Sequence, residues 1–274
     1  MLSYTIDDLN EIRETELNLL LQKHGAIFSG AAVLEVGAGT GRQLAALSRT
    51  ARLAVGIDVP ASTYRPGQSG KLAYYDGVNL PFADDSFDII YSSNTMEHVL
   101  NERDLHREFK RVLRPTGVAV HIVRSSTWRL WTIAVYYIML PRIVVAFLRR
   151  RAEPPEHIND ARATPQSGKG VGQLMLGLIC PMRHGERGNR FTEWWHFRGA
   201  SWRRRFEELG WKAESVEGVG LFYTGYLLGA RLLSMARRQR LARLLGSSCL
   251  IFVLKPNAIP SQQGLSLGNI RNRF

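Results

Sequence analysis

The stretch Val33-Leu34-Glu35-Val36-Gly37-Ala38-Gly39-Thr40-Gly41-Arg42 joins a short apolar run ending in an acid to three glycines at alternate positions, and a helical pattern starts at Gln43. That order spells strand, tight turn and helix. Glycine removes the Cβ penalty at positive φ and lets a ligand touch the main chain. A helix start directly behind the turn leaves N–H groups facing the same space, so backbone amides of the turn are expected to cradle part of a ligand. The stretch therefore predicts a nucleotide-cofactor turn at the carboxyl end of the first strand of an α/β sheet. The dinucleotide fingerprint GxGxxG is excluded, because it needs glycine at position 42, where Arg42 stands.

Working outward, residues 5–24 repeat apolar side chains at an approximate helical period and predict a leading helix that packs on the sheet or caps the site. Gln43–Arg49 predicts a helix and Leu53–Asp58 a second strand, again ending in an acid. Asp58 follows Glu35 at the length of one strand–helix–strand unit, where a carboxylate accepts both hydroxyls of a ribose. A third strand is expected over Lys71–Asp76, a fourth over Ile89–Asn94, an amphipathic helix over Asn101–Arg114 and a fifth strand over Val118–Val123. Beyond a break, Ser201–Leu209 reads as a helix capped by Ser201, Trp211–Val219 as a sixth strand, Leu221–Leu245 as an apolar and basic helix, and Cys249–Pro256 as the last strand.

Three phrases carry a family resemblance: LEVGAGTG at 34–41, DGVNLPFADDSFDIIYSSNTMEHV at 76–99 and EFKRVLRPTGVAVHIV at 108–123. They resemble the class I S-adenosylmethionine-dependent methyltransferases, in the ubiquinone-biosynthesis-type branch. The resemblance implies an α/β fold with a doubly wound, mostly parallel seven-stranded sheet (Rossmann-like), here with an apolar and basic insertion between strands five and six. It implies S-adenosyl-L-methionine as cofactor. Its site would comprise Glu35, Gly37, Ala38, Gly39 and Gly41 at the turn, Asp58 at the ribose with Val59 next to it in the chain, Asp76 at the adenine amino group with Gly77 next to it, and Ser93 and Asn94 facing the methionine part. His98, just beyond strand four, stands where the methyl should emerge and is the candidate general base.

Charge divides the chain. Residues 1–126 carry 13 Lys and Arg against 15 Asp and Glu, the remainder 23 against 9. A basic second half points to phosphate-bearing partners: anionic membrane lipid, nucleic acid or a phosphorylated substrate. Residues 128–148 are strongly apolar, yet Arg129 and Arg142 bracket an unbroken run of only 12 residues ending in Pro141, too short to span a bilayer. With Trp and Tyr in the run and Arg149-Arg150-Arg151 after it, an interfacial segment is one expectation and a lid over the substrate pocket the other. Cys180 and Cys249 lie far apart, and the spacing of His157 and His184 matches no metal motif, so neither disulfide nor metal is expected. The aromatic run Phe191–Phe197 is expected to pack in the core, with stacking on a ring or sugar as the alternative.

These observations predict four segments: a cofactor-binding half over 1–126, an insertion or lid over 127–200, the C-terminal part of the sheet over 201–257 and a tail over 258–274. The first residues are polar and acidic, without a charged-then-apolar leader pattern, which predicts a cytoplasmic location, peripheral on the inner membrane face. The expected activity is methyl transfer to an O or N nucleophile of a small or lipid-linked acceptor. Two alternatives are a catalytically silent membrane-surface binding protein and a nucleic-acid methyltransferase. The latter is disfavoured because Ser93-Asn94-Thr95-Met96 lacks the proline–aromatic motif that holds a flipped base.

Overall fold

The computed structural model describes residues 5–60, 72–152, 183–189, 192–225 and 233–257. In chain order the elements are α1 (Ile6–Phe28), β1 (Ala32–Val36), α2 (Arg42–Leu47), β2 (Leu53–Asp58), β3 (Leu72–Tyr74), β4 (Phe87–Ser93), a 3₁₀ turn at Met96–His98, α3 (Glu102–Val112) and β5 (Leu113–Arg124). They continue with α4 (Ser126–Ala152), α5 (Glu193–His196), α6 (Gly199–Glu208), β6 (Trp211–Gly218), α7 (Met235–Leu245) and β7 (Cys249–Pro256). All seven strands form one sheet in the order β3-β2-β1-β4-β5-β7-β6. The first five are parallel, β7 runs antiparallel to β5, and β6 antiparallel to β7. The chain winds outward from β1 to β3, then returns to lay β4 on the other side of β1. That reversal opens a crevice at the carboxyl ends of β1 and β4.

The central strands read as near-continuous apolar runs because helices cover both faces. Every residue of β1 is buried, Glu35 included. Beneath β5 lies an aromatic cluster in which His121 stacks on Phe206 with ring centroids 5.4 Å apart, and His106 meets Phe109, Phe206 and Trp211 edge-on. His121 shares a 2.8 Å hydrogen bond with Ser92 through Nδ1. Burial pushes the His121 imidazole down to about 3 and His106 well below its ordinary range, so both rings are neutral in the folded chain.

Several sequence expectations are corrected. β5 begins at Leu113, not Val118: Arg114-Pro115-Thr116-Gly117 bulge within the strand, where the register with β4 jumps from Phe87↔Leu113 to Ile89↔Val118. Ser201 is no N-cap; Arg198 holds that position and the Ser201 hydroxyl donates to the Trp195 carbonyl. Among the described residues of the expected helix 221–245, only Met235–Leu245 is helical. Phe222 N–H donates to the Arg238 carbonyl and Tyr223 N–H to Ser248 Oγ, so that backbone is satisfied across the fold rather than along a helix. Trp194 and Trp195 are exposed instead of packed in the core, with the Arg198 guanidinium 4.4 Å from the Trp195 ring. Lys71, His157, Cys180, Phe191 and residues 226–232 and 258–274 lie outside the described residues.

Helix α4 is apolar on two opposite faces. Trp128, Thr132, Val135 and Tyr136 are buried at helical spacing, while Leu130, Tyr137, Ile138 and Val145 are exposed on the far side. No helix among the described residues is long and apolar enough to cross a membrane.

Candidate active site

A cavity of about 1050 Å³ opens at the crevice between β1 and β4. Its two ends are built differently. At the first, Gly37, Ala38, Gly39, Asp58, Val59 and Asp76 come together from three successive strand ends. Gly77, Ser93 and Asn94 also line the cavity, and so does His98. Glu35 and Gly41 do not.

The three-glycine turn is shaped by backbone conformation: Gly37, Gly39 and Gly41 have φ of +76°, +53° and +76°. A Cβ on Gly37 would lie 2.4 Å from Thr95 Oγ1, so the turn also packs against the residue that follows β4. Four amides of the turn and its flank have partners within the fold. Gly37 and Ala38 N–H both donate to the Ile57 carbonyl, Gly41 N–H to the Ala38 carbonyl, and Gly39 N–H to Asp58 Oδ2 at 2.7 Å. These donors are engaged inside the fold, so what the turn offers there is close approach to its main chain. Asp58 accepts from Val59 N–H through its other oxygen, also at 2.7 Å. One carboxylate therefore fixes the turn after β1 to the end of β2 while keeping lone pairs toward the cavity.

Asp76 accepts from Val78 N–H, Asn79 N–H and the Asn79 amide, which hold its carboxyl below the usual range. Glu35 is different. It is buried, Oε2 has no hydrogen-bond partner, and burial with the nearby Asp58 charge raises it to about 8. Asn94 adopts φ +53°, donates its N–H to the Ile122 carbonyl, and turns its amide toward Glu16 Oε2 at 3.2 Å.

The second end assembles residues far apart in the chain: Arg13 from α1, Arg124 at the end of β5, Trp128 and Arg129 from α4, His184, and Tyr223 after β6. Sequence reasoning passed over Arg13, Glu16, Arg124 and Tyr223, which form one buried network. The Tyr223 hydroxyl donates to Glu16 Oε1 at 2.6 Å and accepts from Arg124 Nη1 at 2.6 Å, and Arg13 pairs with Glu16 at 2.8 Å. Cys249 Sγ contacts both Tyr223 Oη and Asn94 Oδ1 at 3.2 Å, so the network ends on the residue after β4. Burial pushes the Cys249 thiol up, which makes it inert as a nucleophile.

The loop 183–189 closes the far wall. Glu193, fully buried, accepts from His184 and Gly185 N–H through Oε1 and pairs with Arg129 Nε at 3.0 Å through Oε2. The His184 ring lies 4.6 Å from Trp128 and 5.0 Å from His98. Burial, with help from the Arg124 charge, pushes the His184 imidazole down to about 2.

A cavity at the reversal point of a parallel 3-2-1-4-5 sheet, with a three-glycine turn and an acid at the end of β2, lies where sheets of the doubly wound class bind their ligands. Residues 34–121 match the family model described as "Methyltransferase domain". Over this segment the chain is similar to methyltransferase domains. An uncharacterized methyltransferase of Mycobacterium avium (strain 104) is 38% identical over 103 residues, covering 35% of this chain and 41% of that protein. One from Mycobacterium leprae (strain Br4923) is 36% identical over 109 residues, covering 38% and 40%. The chain thus spans about two fifths of the length of the curated relatives it matches. Among solved structures, an S-adenosylmethionine-dependent methyltransferase from Mesorhizobium loti is 17% identical with a TM-score of 0.48, over 86% of this chain and 97% of that one.

Proposed function

We propose that the whole chain moves a methyl group from S-adenosyl-L-methionine to an O or N nucleophile of a small or lipid-linked acceptor at the cytoplasmic face of a membrane. One observation carries the reading: a single cavity joins the turn and acid end to a second, polar and aromatic compartment, with Ser93, Asn94 and His98 at the junction. Methyl transfer from a sulfonium is an in-line displacement in which the sulfonium supplies the leaving group. The protein's task is to hold methyl and acceptor in contact geometry and exclude water. In this reading Asp58, with Val59 beside it, takes the ribose; Asp76 and Gly77 take the adenine edge; Gly37, Ala38 and Gly39 let the methionine part approach the main chain; Ser93 and Asn94 face it. Gly41 shapes the turn and Glu35 supports it from the core. His98 takes the proton when the acceptor is a hydroxyl.

Segment 127–200 acts as the acceptor wall and as the membrane-facing element. The outer apolar face of α4 supports the latter, with Leu130 54% and Ile138 69% exposed, since apolar side chains at helical spacing on an open face mark an interaction surface. The basic residues of the second half favour an anionic lipid surface over a neutral one.

Calorimetry with S-adenosylhomocysteine tests the cofactor site; absence of heat at millimolar ligand overturns the reading. Incubation with methyl-labelled donor and metabolite extracts, with and without membranes, tests the acceptor. Label appearing only with the membrane fraction supports a lipid-linked acceptor, and label in the aqueous fraction alone removes the membrane part. Flotation with vesicles containing anionic lipid tests α4, and a chain left in the bottom fraction refutes surface binding.

A further inference from the structure

His98 and His184 line the cavity and meet Glu97, buried beside them, although 85 residues of chain lie between His98 and His184. Each offers one ligand atom, and these atoms lie within 4.8 Å of one another. Glu97 is 2% exposed, and neither of its carboxylate oxygens has a hydrogen-bond partner; the same holds for His184 Nε2. A buried carboxylate with both oxygens unbonded carries a desolvation cost that native structures rarely leave unanswered. Two guanidiniums act on it, Arg205 and Arg124; the Arg124 Nε stands 3.7 Å from Glu97 Oε1, beyond hydrogen-bond distance, while its Nη1 is committed to Tyr223.

The three residues are held together by structure outside their side chains. Glu186 N–H donates to the Glu97 carbonyl at 2.9 Å, which ties the loop 183–189 to the 3₁₀ turn. Glu193 grips the same loop through His184 and Gly185 N–H. The three ligand atoms lie within a span that one small cation could bridge. Two imidazoles and one carboxylate suit a cation of borderline softness, and ligand distances of about 2.0–2.2 Å need roughly an ångström of side-chain closure.

We infer that Glu97, His98 and His184 form a binding site for a divalent cation of the zinc type, with its open coordination positions facing the acceptor compartment. Two imidazoles and a carboxylate leave such an ion free to polarise an acceptor oxygen and lower its proton affinity. Ligation and proton abstraction compete for the one His98 imidazole, so an occupied site replaces the general-base role given to His98 above. The cofactor end is independent of this site.

The test uses the full chain, stripped by chelator dialysis and titrated with CoCl₂, followed by visible absorption, and with ZnCl₂, followed by calorimetry. One ion per chain is expected, with at least tenfold weaker binding in His184→Ala and in His98→Ala and no change in His196→Ala. Thermal unfolding of each variant confirms that it folds. Affinity for S-adenosylhomocysteine should be the same in His184→Ala as in the parent chain, so failure of the cation site is distinguishable from failure of the methyl-transfer reading. No uptake of either ion, or equal uptake by His184→Ala, overturns the inference and leaves Glu97 to its neighbouring guanidiniums.

Discussion

The two ends of the cavity differ in how the chain builds them. At the cofactor end, turn, Asp58 and Asp76 arrive from consecutive strand ends within residues 37–77, and the stabilising contacts are backbone bonds such as Gly39 N–H to Asp58. At the acceptor end, α1, β5, α4, the loop 183–189 and the segment after β6 each contribute a side chain, and buried ion pairs hold them. Local geometry makes the first end tolerant of changes elsewhere in the chain. The second depends on long-range pairs, and loss of one partner leaves a charge buried.

The largest expected effect is at the cofactor end. Asp58→Ala removes the acceptor that fixes Gly39 and Val59, and binding of S-adenosylhomocysteine should weaken by about 30-fold or more, or about 2 kcal/mol by calorimetry. Unchanged affinity would detach the turn from the ligand. Gly37→Ala places a Cβ 2.4 Å from Thr95 Oγ1 at a φ of +76° and should cost about 3 kcal/mol in denaturant unfolding. Adding Thr95→Ala should recover only part, because the φ penalty remains.

At the acceptor end, Tyr223→Phe leaves Glu16 and Arg124 without the hydroxyl between them and should cost about 2 kcal/mol, with S-adenosylhomocysteine affinity within threefold of the parent chain. A large loss of that affinity would erase the distinction between the ends.

The pH dependence of stability sharpens the contrast between site and core. His106 and His121 are neutral when folded and titrate near 6.5 when unfolded, so below that pH the unfolded chain binds more protons and stability falls as pH falls. His106→Phe, in a ring-lined site where Nδ1 has no partner, should flatten that acid limb in urea titrations between pH 4 and 7. Glu35 has the opposite sign. The fold keeps it protonated up to about 8, whereas the unfolded chain ionises near 4.5, so between those values stability falls as pH rises, and Glu35→Gln should remove that slope. The smallest effect belongs to the surface: Ile138→Glu should change stability by less than about 0.5 kcal/mol while releasing the chain from anionic vesicles.

Legibility in the sequence follows the same division. Asp58, Asp76, Ser93 and Asn94 lie at or just beyond strand ends that apolar runs mark in the sequence, and all four line the cavity. Glu35 sat in the same phrase, but its side chain points into the core, which alternation in a fully buried strand does not reveal. Glu16 looked like one charge among many on an amphipathic helix. Its role depends on Tyr223, 207 positions away, and no local pattern encodes that pairing. Leu221-Phe222-Tyr223 opened an apolar run that read as helix, yet its backbone took its bonds from Ser248 and Arg238, so tertiary partners overrode propensity.

The grip of Glu193 has a consequence for the wall it sits behind. Its carboxylate secures the backbone of His184 and Gly185 with one oxygen and Arg129 of α4 with the other, so releasing the loop would leave two amide donors and a buried carboxylate oxygen unsatisfied. One buried glutamate thus couples the placement of a loop to that of a helix remote from it in the sequence.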